Sequence, residues 1–132
     1  MNFLSNYPAE ILILLFLSIT YLISAYEKIT DWKGNVAFIK NHFKNSPLKN
    51  SVPFLLSIIL IVESIAVFFM LIGIYQLYTS EAKEIASFGL ELSAVTLLFL
   101  LIGQRLAKDY PGAMSLTVYF TLNVFGIYLL NN

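Results

Sequence analysis

Glu63 stands in "ILIVESIAVFFMLIG", residues 59–73, where almost every neighbour is apolar. An ionisable group at such a place is costly to bury and is functional by default, whether as proton carrier or as ligand contact. The blander alternative is a hydrogen bond between helices, worth about 1 kcal/mol. Other polar groups recur at helical spacing. Glu84, Ser87 and Glu91 fall at i, i+3 and i+7, while Glu10, Tyr21, Ser24 and Lys28 share a stripe with Leu14 and Leu17. Gly112, Ser115, Tyr119, Asn123 and Gly126 form a third stripe. With about 1.5 Å of rise per residue, Glu63 comes out near the middle of an apolar layer and Glu91 about 5 Å to one side. Tyr21, Tyr119 and Asn123 lie at similar depth. The candidate ligand-binding or proton-handling cluster is therefore Glu63, Glu91, Tyr119, Asn123 and Tyr21, with Ser87 and Glu84 continuing it toward one surface. Its own helix face offers Glu63 only Ile59, Leu60, Ala66, Val67 and Met70. Tyr119, Asn123, Tyr21 and Glu91 are thus its expected partners.

These residues need helices to hold them, and the sequence supplies four. The chain is 58% hydrophobic and 12% charged, about half the charge of a soluble domain, roughly 25%. Apolar windows near 9–28, 52–77, 84–106 and 111–130 are each long enough, at roughly 20 residues, to cross a hydrocarbon layer about 30 Å thick. The expectation is an all-α membrane protein, a single domain over 1–132 built as an antiparallel bundle of four transmembrane helices. No Lys or Arg precedes Lys28, so the first window reads as an uncleaved span rather than a signal peptide.

Between the first two windows, "DWKGNVAFIKNHFKN" places Trp32, Val36, Ile39 and Phe43 on one helical face. The spacing predicts an interfacial amphipathic helix over about 32–44, its rings in the headgroup zone and its lysines reaching water and lipid phosphate. Such a helix either seals the bundle or gates lateral access for a lipid-like ligand. Ser80, followed by Glu81 and Glu84, predicts an N-cap for the third span. Asp109 and Pro111 predict the opening of the fourth, since proline is tolerated in a first turn.

Seven basic residues (Lys28, Lys33, Lys40, Lys44, Lys49, Arg105 and Lys108) flank one side of the spans, and only Lys83 flanks the other. The positive-inside rule then puts both termini outside and both basic loops in the cytoplasm, with Lys28, Trp32, His42, Arg105 and Lys108 at the cytoplasmic interface. Zero formal net charge argues against a nucleic-acid partner. The absence of cysteine excludes thiolate chemistry and iron–sulfur ligation, and the single histidine cannot build a metal site alone.

"SAYEKITDWKGNVAFIKNHF" (24–43), with Tyr21, Ser24 or Ala25, and Lys28 near a Phe/Tyr-x-x-small-x-x-Lys ending, resembles the DoxX pattern. "VESIAVFFMLIG" resembles that family's second span through Glu63 and Gly73, and "GQRLAKDYPGA" is similar to the tail of a DoxX-like branch. Ser18 and Ser24 stand where glycines are usual. The resemblance covers nearly the whole chain. It implies a four-helix protein of the bacterial inner membrane, linked to redox systems, with quinone chemistry in one branch. The leading expectation is an accessory subunit of a quinone-linked membrane redox system. Its own residues build no cofactor, so a protein partner in the membrane complex supplies the electrons. Two alternatives stay open: a binding or transport protein for a lipid-like or small cationic ligand, and a purely structural assembly subunit. Homo-oligomerisation is also open.

Overall fold

The computed structural model describes residues 6–132. Four long helices run through them: α1 (Pro8–Thr30), α3 (Val52–Thr79), α4 (Glu84–Leu106) and α5 (Tyr110–Leu130), with the shorter α2 (Trp32–His42) between the first two. Each long helix is long and apolar enough to cross a membrane. The fold is an all-α, four-helix membrane bundle. The expected windows match these helices to within about two residues, because at that length hydropathy alone selects the spans.

Local chemistry sets most of the helix ends. Asp31 caps α2, accepting from Gly34 N at 3.3 Å, and Asp109 caps α5, accepting from Gly112 N at 3.0 Å. Pro53 and Pro111 sit in first turns, where a missing amide costs nothing. The expected Ser80 cap is not formed. Helix α3 runs on to Thr79, so Ser80 ends that helix and its hydroxyl donates back to Gln76 O. Glu81 then turns the chain at φ 59°, and α4 begins at Glu84 with no side-chain cap.

Within the bundle α3 packs on α4, α4 on α5, and α1 against α3 and more lightly α5. The α3–α4 seam is the closest. A Cβ on Gly73 would lie 2.5 Å from Ala86 Cα, and one on Gly89 would lie 2.9 Å from Met70 N. Without water to drive association, helices in lipid gain from such backbone approach. The core is Leu14, Leu17, Met70, Leu77 and Leu90, all fully buried. Phe16, Ile19 and Ile23 on α1 and Ile61, Phe68 and Tyr75 on α3 are exposed. In water such faces would be an aggregation liability; in a bilayer they are the lipid contact.

Helix α2 presents the expected face. Trp32, Val36, Ile39 and Phe43 are half-buried, whereas Lys33, Lys40 and Lys44 are exposed. It ends at His42, and Phe43 is its C-cap.

Candidate functional site

Glu63 is buried, 3% exposed, but its partners are not the expected ones. Lys28 Nζ lies 3.3 Å from Glu63 Oε1, and Ser24 Oγ donates to Glu63 Oε2 at 3.2 Å. Lys28 also donates to Ser24 Oγ, so lysine, serine and glutamate close a three-membered polar knot between α1 and α3. Lys28 was expected at the cytoplasmic interface, yet its side chain is only 13% exposed.

The reason is the direction of helical side chains, which lean toward the N-terminus of their own helix. Lys28 therefore reaches back over Ser24, one turn deeper into the bundle than its own Cα. Helix α3 runs the opposite way, so Glu63 leans toward the end of the bundle where Lys28 begins. Two residues whose backbone depths look mismatched meet through their side chains. Glu91 is not among the partners of Glu63: Glu63 faces an ammonium, and Glu91 is exposed.

Of the remaining candidates, Tyr21, Asn123 and Tyr119 lie close enough to interact, and Tyr21 is within electrostatic reach of Glu63, whereas Glu84 and Glu91 lie apart on an exposed face. Tyr21, 4% exposed, accepts from Ser93 Oγ at 2.6 Å. Asn123, fully buried, donates to Tyr119 O within α5, and its Oδ1 has no hydrogen-bond partner. Tyr119 is half-buried against the ring of Phe16 at 6.3 Å. The stripe of Glu84, Ser87 and Glu91 faces outward. Glu84 and Glu91 are exposed, and Ser87 accepts from Asn131 Nδ2 at 3.2 Å near the C-terminal end of α5. Small residues decide that rotation. Ala86, Gly89, Ser93 and Thr96, at i, i+3, i+7 and i+10, are the buried face of α4. Their size allows the close seam with α3 and turns the acids away. Ser93 was missed, although its place in that row of small residues was visible in the sequence.

At the other end of the bundle, His42 Nε2 lies 3.0 Å from Asp109 Oδ2, joining α2 to the start of α5. Arg105 lies over the ring of Tyr110 at 5.3 Å, and Lys108 is exposed in a left-handed turn at φ 60°. Trp32 is half-buried at the start of α2. Among the described residues, no three His, Cys, Asp or Glu side chains come together as metal ligands.

Beneath α2 lies a cavity of about 460 Å³. Ile39, His42 and Phe43 cover it, Val52, Leu55, Leu56, Ile59 and Val62 form the α3 wall, and Thr96, Phe99, Leu100, Gly103 and Gln104 form the α4 wall. The lining is almost wholly hydrocarbon. Its polar exceptions are His42, Thr96 and Gln104, and Thr96 already donates to Leu92 O. This volume suits a small molecule, for which sites run to about 300–1,000 Å³. Such a wall can hold an alkyl chain or a flat ring by burial, with orientation left to the few polar atoms at the covered end. Comparisons with protein-family models, with curated proteins and with solved structures give no match.

Proposed function

We propose that this chain is a DoxX-like subunit of a membrane redox system that holds a lipid-like molecule, a quinone in the first instance, in the cavity beneath α2. The observation that carries this reading is the cavity itself: apolar walls from α3 and α4 under an amphipathic cover. A quinone needs apolar surface for its ring and tail and hydrogen-bond donors for its carbonyls. Gln104 is the lining side chain with N–H groups to offer, since the Nε2 of His42 is engaged with Asp109. With no cysteine and one histidine, this chain acts as an accessory, and electrons come from a protein partner in the same membrane. The basic side, with α2 and the α4–α5 turn, faces the cytoplasm of a bacterial inner membrane, and both termini lie outside. A small cationic ligand is the weaker reading, because at Glu63 it would have to displace Lys28.

The test uses the protein purified in native-lipid nanodiscs. Trp32 is its only tryptophan and sits on α2, so quenching of its emission by a decyl-quinone analogue reports binding beside the cover. Val62→Phe, which fills the α3 wall, should weaken that binding at least tenfold with the fold intact. Unchanged affinity in Val62→Phe, or no quenching by the analogue, would remove the reading.

A further inference from the structure

We propose that His42 and Asp109 form the latch of a gate, with α2 as the moving element and the Asp31 corner as its hinge. This rests on the cavity reading above and concerns how the cavity is reached. Helix α2 has no fully buried residue, so little apolar area holds it in place. Its two ends are fastened differently. At the start, Asn35 Nδ2 donates to Glu27 O at 3.0 Å and to Asp31 O at 2.8 Å, and Asp31 N donates to Glu27 O at 3.1 Å. These bonds stitch the first turn of α2 to the end of α1.

The other end covers the cavity and is held across the bundle. Phe43 faces Gly103 of α4, its Cζ 3.5 Å from where a Cβ on that glycine would stand, and His42 bonds Asp109. Asp109 divides its two oxygens between separate tasks. Oδ1 caps α5 through Gly112 N, and Oδ2 accepts from His42 Nε2, which therefore carries the proton on that nitrogen. The cap holds the carboxylate rigidly, so the latch has a fixed post on α5 and a movable bolt on α2. Both side chains are partly solvated, 34% and 21% exposed. That makes the bond weak enough to break reversibly while the cap stays in place.

The latched end carries Ile39 and His42 of α2 and its C-cap Phe43, which lie over the cavity. Breaking the His42–Asp109 bond and sliding Phe43 away from Gly103 uncovers the space between α3 and α4. The hinge end keeps its backbone bonds throughout.

The chain contains no cysteine, so one introduced thiol reports access without a ligand. Ile59→Cys, on the cavity wall, is labelled with a membrane-permeable maleimide in nanodiscs, alone and combined with His42→Phe. Phenylalanine keeps a ring beside Phe38 and Phe43 and leaves the Asp109 cap untouched, but it removes the bond. A solvated hydrogen bond of this kind is worth enough for labelling to quicken about three- to tenfold. Asp109→Asn keeps a capping side chain and a neutral acceptor, and should fall between parent and His42→Phe. Labelling in His42→Phe within a factor of two of the parent, with Trp32 emission and thermal midpoint unchanged, would overturn the latch. Thermal unfolding of each variant separates a loosened fold from an opened gate. Because no quinone enters the measurement, this outcome is independent of the quinone titration. A working latch with no quinone binding would sink the ligand reading alone.

Discussion

Removing Lys28 is the sharpest test of the polar knot at Glu63. Lys28→Met keeps most of the aliphatic length of the side chain and deletes the charge. At 3.3 Å, and with an effective dielectric of about 20, the lost attraction is about 5 kcal/mol. Much of that is offset in the parent by desolvation, and the cost of breaking a buried pair is usually about 3–5 kcal/mol. A ceiling comes from protonation. A carboxyl group of ordinary pKa, about 4.3, takes up a proton at pH 7 at a cost of about 4 kcal/mol, so the loss in Lys28→Met should not exceed that. The reverse change is milder. In Glu63→Gln the amide still accepts from Ser24, and Lys28, two residues from the end of α1, can swing its amine to the interface. We expect about 3–4 kcal/mol lost in Lys28→Met and about 1–2 kcal/mol in Glu63→Gln. The combined variant Lys28→Met with Glu63→Leu should recover most of the loss, because no unpaired charge is left. The assay is reversible unfolding in mixed detergent micelles, arranged as a double-mutant cycle. A loss below about 1 kcal/mol in Lys28→Met, or no recovery in the combined variant, would refute the buried ion pair.

At the α3–α4 seam, Gly73→Ala should cost about 1–3 kcal/mol, since its methyl meets Ala86 backbone at 2.5 Å. Gly103→Ala should instead be neutral or stabilising by up to about 1 kcal/mol, because the nearest atom, Phe43 Cζ, lies 3.5 Å away and alanine favours the helix; equal costs at both sites would refute the seam. Tyr21→Phe should lose about 1 kcal/mol by leaving Ser93 without its acceptor, and a gain in stability on unfolding would count against that bond. Thiol labelling of Lys44→Cys and Ser80→Cys in intact cells, with an impermeant reagent outside, should modify only the second; labelling of the first would invert the orientation.

The elements of this protein were legible in the sequence because each depends on neighbours along the chain. Four hydropathic runs set the spans, the i, i+4, i+7 and i+11 spacing of Trp32, Val36, Ile39 and Phe43 set the inner face of α2, and Asp109 with Pro111 set the start of α5. The burial of Glu63 was legible for the same reason. What surrounds Glu63 was not. Depth counted along a helix locates Cα atoms, while the ends of Lys28 and Glu63 lie about a turn away from theirs and in opposite directions. The facing of α4 was equally hidden, because the acids of Glu84 and Glu91 and the small residues of Ala86, Gly89 and Ser93 mark two competing faces. Only packing against α3 chose between them, since close backbone contact needs the small residues inside. The link between His42 and Asp109 spans 67 residues. No periodicity along the chain encodes it, and it exists because folding brings the end of α2 onto the corner where α5 begins.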